Sequence, residues 1–347
     1  MSTAVSSLEQ KQNIGTERPM RQTGFFITKN PTSQIETGYA YSDSALRPCE
    51  STALQTSLWP RIIEHWHLLS LDAPTIAALW SWFFARAMRI DLPWHAPLLL
   101  ALGTWLVYVA DRILDGTRAN PTSPLRERHR FHAQHRKAFL TAGAIVGCAL
   151  LWLIVSRMSA NARYEDTILF SAALLYLVFV HKPRLGGINW LPKELAVGIV
   201  FAAATAVPAW SRLGSGLHSA LNSERLALFP AVALFATLCW LNCIAIERWE
   251  NLNPHGQLNS YDAHSTTRWA AQHFPPAALF LAGISGAFAS TSITTNPGTL
   301  AVYLAVTSAD LCLTAIDLRR EKLSSLHLRV AADAALLTPL ILIPLLR

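Results

Sequence analysis

The chain has 347 residues, of which 52% are hydrophobic and only 15% charged, and it carries a formal net charge of +7. An ordinary soluble domain has about a quarter of its residues charged, so this composition points away from one. The surplus positive charge lies between apolar segments rather than in a patch with aromatic partners, which argues against a nucleic-acid binder.

Residues 1–57 are rich in Ser, Thr, Gln, Asn and Glu and show no sustained apolar period, so a disordered tail is expected there. No basic start followed by a short apolar core marks a signal peptide, and the first apolar span is expected to act as an internal signal anchor. Residues 58–347 read as one all-α polytopic transmembrane bundle. About nine spans are expected, at about 72–89, 96–115, 138–156, 166–181, 192–210, 226–246, 276–292, 298–316 and 330–346, each near the roughly 20 residues that cross a bilayer core.

In the first span, Asp72 precedes Pro74 and is expected to cap the helix start. Trp80, Trp82, Phe83, Phe84 and, in the second span, Trp105 are expected chiefly to pack and to anchor at the interface. The second span ends in Asp111-Arg-Ile-Leu-Asp115. Two acids four residues apart share a helix face and repel unless a cation lies between them. An aspartate within lipid costs about 2.5–3.5 kcal/mol, so this pair belongs at the membrane surface around a divalent ion.

Arg112 and Arg118 border that pair. In the loop that follows, His129, His132 and His135 are expected on a solvated basic face rather than around a metal. Lys182 and Arg184 follow the fourth span, and Gly186-Gly187 reads as a turn. Lys193 and Glu194 open the fifth span, where the helix dipole favours the acid.

A second acidic cluster closes the sixth span. Glu247 and Glu250 share a face and Asn242 lies about two turns earlier, an arrangement that could hold a hard cation through oxygen ligands, with ion pairing to Arg248 as the alternative. Cys239 and Cys243 lack sulfur or imidazole neighbours in sequence and are expected to pack. Asp310 and Asp333 fall within the eighth and ninth spans, where ionisable groups default to functional hypotheses.

Loop charge supplies an orientation. Sixteen Lys and Arg lie in or beside the connections 2–3, 4–5, 6–7 and 8–9, against five (Arg89, Arg157, Arg163, Arg212 and Arg225) in the opposite set. The positive-inside rule then predicts a cytoplasmic N-terminus, a C-terminus on the opposite side and, as the expected location, the cell inner membrane. Both acidic clusters emerge on the cytoplasmic side.

Two acidic clusters at the same ends of the second and sixth spans resemble the UbiA superfamily of intramembrane prenyltransferases. Asp111 and Asp115 match the aspartates of that family's NxxxDxxxD motif, with Val107 at the asparagine position. Asn242 and Glu250 are spaced like the asparagine and last acid of the second motif, with glutamates where aspartates are common. His181-Lys182-Pro183-Arg184 and Tyr261 to Arg268 are similar in position to the family's two basic and polar segments.

The resemblance implies a Mg²⁺ site formed by Asp111, Asp115, Glu247 and Glu250. It further implies binding of a prenyl diphosphate by Asn242, Arg112, Arg118, Lys182, Arg184, Lys193 and Arg268. The implied activity is transfer of the isoprenoid to a lipophilic acceptor within membrane lipid, with no nucleic acid involved. Two other expectations stand beside it: a non-catalytic relative that binds a lipid or a partner, suited by Val107, and a small-solute transporter using the intramembrane acids.

Overall fold

A computed structural model describes residues 64–118, 127–181, 192–213, 223–251, 264–293 and 296–346, all within the compact unit Gln55–Arg347. The expected tail at 1–57 lies outside the described residues. Those residues are helical, with no strand among them. In chain order the helices are α1 Asp72–Ala87, α2 His95–Arg118, α3 Glu127–Gln134, α4 Arg136–Arg157, α5 Ala160–His181, α6 Lys193–Trp210, α7 Ser223–Asn251, α8 Ser265–Gln272, α9 Phe274–Ser292, α10 Pro297–Leu318, α11 Ser325–Ala335 and α12 Pro339–Leu342.

Seven segments are long and apolar enough to cross a membrane: His95–Leu114, Arg136–Arg157, Lys193–Trp210, Arg225–Asn251, Phe274–Ser292, Pro297–Leu318 and Ser325–Leu346. They coincide with seven of the nine spans read from the sequence. The other two are helical as well, α1 at 16 residues and the C-terminal part of α5. The chain is therefore an all-α membrane protein by the length and composition of its helices. Apolar faces on α4 and α5, among them Ile145, Trp152, Val155, Ile168 and Phe170, are exposed, as lipid-facing surfaces are.

Between helices in lipid no hydrophobic driving force operates, so close contact of small residues and internal pairing of polar groups do the holding. The buried face of α6 is almost entirely small: Ala196, Gly198, Ala202, Thr205, Ala206 and Ala209. It lets α7 approach until a Cβ at Gly198 would stand 2.8 Å from the Trp240 amide nitrogen. A second close approach joins α10 to α1. Asn296 caps α10 by accepting from the Gly298 and Thr299 amides, and this seats Gly298 directly on the Ala87 carbonyl, with no room for a side chain.

The aromatics of α1 fill the centre. Trp80, Phe83 and Phe84 are fully buried, and Trp80 stacks on Phe235 of α7 with ring centroids 3.9 Å apart. The Trp80 indole donates to the Leu336 carbonyl at 2.8 Å. That carbonyl is available because α11 breaks before Pro339, and the Leu340 amide turns back to Leu337 instead. These rings pack the core, as expected of them.

One expectation is corrected by the packing of α3. His132 is fully buried and stacked on Phe139, while His135 is exposed, so these two histidines do not share a solvated face.

Enlarging Gly298 to Val in full-length protein is expected to lower the detergent melting temperature, with overpacking costing about 1–3 kcal/mol or more. Gly103→Ala, where a Cβ meets nothing within 4 Å, serves as the benign control. Equal melting curves for the two variants would sink the close-approach argument.

Candidate functional site

Polar and charged groups gather at one end of the bundle, where α2, α7 and α10 finish and α1, α6, α8 and α11 begin or pass. At the end of α2, the Asp111 carboxylate lies 3.3 Å from Arg112 and 3.8 Å from Lys193 at the start of α6. The next residue, Glu194, accepts from the Thr267 hydroxyl of α8 at 2.7 Å. Two turns of α6 and α8 are thereby tied to the end of α2.

On α7, Arg248 donates from Nη1 to the Ala271 carbonyl of α8 at 2.5 Å and from Nε to Asp317 of α10 at 3.0 Å. Asp317 also accepts from the Trp249 indole at 2.8 Å and faces Arg320 at 3.3 Å. Two residues on from Arg248, Glu250 pairs with Arg329 of α11. Arg248 thus serves Asp317, and it is Arg329, four residues before Asp333, that pairs with the second acidic cluster.

Asp333 lies on the same face of α11 as Arg329, one turn on. It meets His67 and Asp72 at the start of α1. His67 Nδ1 is 2.9 Å from Asp72 and 3.7 Å from Asp333. Asp72 does not cap α1 as expected: the N-cap is Leu71, and Asp72 sits inside the first turn with Oδ1 on the Ala73 amide.

Tyr108 lies within electrostatic reach of Asp72, Asp333, Arg112 and Cys243, with the Arg112 guanidinium 5.8 Å from its ring centre. Side-chain contacts thus link Asp111 with Arg112 and Lys193, Glu194 with Thr267, Arg248 with Ala271 and Asp317, Glu250 with Arg329, and His67 with Asp72 and Asp333. Seven helices contribute to this polar circuit of separate links at one end of a membrane bundle.

The residues singled out in the sequence distribute as follows. Asp111, Arg112, Lys193 and Glu250 are in the circuit. Glu247 is partly buried on α7, Asn242 is buried two turns deeper, and Arg268 is exposed on α8. Among the described residues the Asn242 side-chain oxygen has no hydrogen-bond partner. Asp115 and Arg118 lie in the last turn of α2, but their side chains fall outside what is described, as do Lys182 and Arg184 entirely.

His67, Asp317 and Thr267 were not anticipated. His67 and Asp72 are five residues apart across a turn at Ser70, whose φ of 56° is left-handed, and no helical or strand spacing signals such a pairing. Asp310 stands apart, deeper in α10 and fully buried, with neither carboxylate oxygen hydrogen-bonded among the described residues. Cys239 is buried and Cys243 partly buried, and neither is in a disulfide among the described residues.

Breaking one side of the Arg248–Asp317 contact strands a buried carboxylate, which costs about 3–5 kcal/mol. Arg248→Met is expected to reduce stability by that order, and Arg248→Met with Asp317→Asn to recover part of it. A double-mutant cycle in thermal unfolding checks this, and strict additivity would count against the pairing.

No protein-family model, curated protein or solved structure matches the chain.

Proposed function

We propose that the chain is a divergent relative of the UbiA prenyltransferases that transfers an isoprenoid from its diphosphate to a lipophilic acceptor in the membrane. The observation that carries this reading is the polar circuit, in which acids from α2 and α7 and cations from α2, α6 and α11 converge on one end of an apolar bundle. Both ends of the proposed chemistry are then supplied, a charged surface for a diphosphate and helices in lipid for its tail.

Asp111, Asp115, Glu247 and Glu250 are the residues that would hold Mg²⁺: they offer carboxylate oxygens, the hard ligands this ion takes, and it shares its remaining positions with water and phosphate. Bound there, Mg²⁺ would supply neutralisation of the charge that accumulates on the leaving diphosphate.

The chain's own residues do the rest. Lys193 and Arg112 rest against Asp111 in this structure. Both are placed to turn to phosphate oxygens when the carboxylate is otherwise engaged, and Arg268, exposed on α8, adds a further donor. Positive charge fixed beside the departing diphosphate stabilises it as the allylic C–O bond ionises. The apolar helices keep water from the allylic cation until the acceptor attacks. Val107 in place of the family's asparagine removes one polar group from this surface, so affinity rests more heavily on the cations.

Labelled geranylgeranyl diphosphate is expected to bind detergent-purified protein only with Mg²⁺, and at least about tenfold more weakly in Asp111→Asn and Glu250→Gln. Equilibrium dialysis checks this. Binding that ignores Mg²⁺ and both substitutions, with all proteins folded, would overturn the reading.

Asp310 favours a second reading, solute transport coupled to an intramembrane acid. A buried carboxylate with no hydrogen-bond partner among the described residues is what a proton-binding step requires. In proteoliposomes with an internal pH indicator, this reading predicts a proton flux that Asp310→Asn abolishes. Identical traces for the native protein, the variant and empty vesicles would remove it.

A further inference from the structure

We propose that His67, Asp72 and Asp333 form a binding site for a divalent transition-metal ion, separate from the Asp111 and Glu250 carboxylates. One ligand atom from each of the three residues lies within 4.8 Å of the others. One imidazole with two carboxylates is the donor set of Zn²⁺, Mn²⁺, Fe²⁺ and Co²⁺ sites, and imidazole selects against Mg²⁺. Ligands bound at about 2.0–2.2 Å around a tetrahedral ion stand roughly 3.3–3.5 Å from each other. The observed 2.9 Å and 3.7 Å from His67 Nδ1 to the two carboxylates bracket that separation.

Three separate parts of the fold bring these groups together. His67 lies in the short helical turn before α1, and the left-handed Ser70 then folds the chain back so that Asp72 faces it. That turn is fixed from outside by the Trp105 indole, which donates to the Leu69 carbonyl at 3.1 Å. Asp333 arrives on α11, held in register by the Arg329–Glu250 pair one turn before it.

The imidazole supplies an independent sign of a ligand. His67 is only 4% exposed, and its Nδ1 faces both carboxylates, at 2.9 Å from Asp72 and 3.7 Å from Asp333, in a geometry that completes no well-aligned hydrogen bond. A coordinated ion would take the Nδ1 lone pair and an oxygen of each carboxylate in place of that contact. Asp72 and Asp333 keep 15% and 20% side-chain exposure. A bound ion would therefore retain an open side for water or a substrate oxygen, as catalytic metal sites do and closed structural sites do not.

Tyr108 of α2 lies within electrostatic reach of both Asp72 and Asp333. The proposal does not rest on prenyl transfer. It requires only the three ligands, and it survives if diphosphate binding fails.

The test uses the full-length chain purified through a histidine-free affinity tag and stripped with a chelator. Co²⁺ is added and its visible d–d absorption recorded, and Zn²⁺ retained through gel filtration is measured by elemental analysis in the presence of excess Mg²⁺. The expected result is Co²⁺ absorption from a low-symmetry nitrogen–oxygen site and about one Zn²⁺ per chain. His67→Gln and Asp333→Asn should each weaken Zn²⁺ retention by about tenfold or more, while Asp111→Asn leaves it unchanged. A colourless native protein with no retained Zn²⁺ overturns the proposal without reference to any variant. So does full retention in folded His67→Gln, which would place the metal elsewhere in the chain.

Discussion

Asp317 is 2% exposed at the end of a membrane-spanning helix, and a bare carboxylate there would be untenable. Its three donors, Arg248, Trp249 and Arg320, settle the charge and in doing so fasten α7 to α10. Because Arg248 also reaches the Ala271 carbonyl, α8 is locked to the same point. The position of Glu250, about half a turn along α7 at roughly 3 Å of axial rise, follows from this knot, and with it the seat of Arg329 and the approach of α11. Compensation of buried charge within the bundle therefore decides how four helices meet at this end.

The same compensation governs how the other acids at this end are placed. Lipid offers no counter-ions, so each acid carried to the bundle end must find a cation or a donor among its neighbours. Asp111 finds Arg112 and Lys193. Asp72 and Asp333 find a histidine, which brings together one imidazole and two carboxylates from remote parts of the chain.

Much of the scaffold was legible because apolar length and spacing survive folding unchanged. Seven spans appear where long apolar runs predict them, and the small residues of α6 repeat at helical spacing. Within the site, the pairing of Asp111 with Arg112 follows from local sequence, whereas Lys193 reaches it from the start of α6. Nor do the partners of Arg248 and Glu250 follow from local sequence. Arg248 lies one residue from Glu247 and two from Glu250, which suggested a local ion pair, yet on a helix such neighbours point away from each other. Its side chain instead meets Asp317, 69 residues further on. His132 was misjudged for a related reason: a basic loop reads as solvated until a ring such as Phe139 is brought over it.

The sequence by itself determined that this is an α-helical membrane protein and which acids sit near helix ends. Those properties depend on hydropathy and on residues a few positions apart. The tertiary structure alone decided which cation answers each carboxylate, that His67 joins Asp72 and Asp333, and that Gly298 must be bare for α10 to rest on α1. Each of these depends on the distance between segments remote in the chain, and that distance is set by packing, which no local pattern encodes.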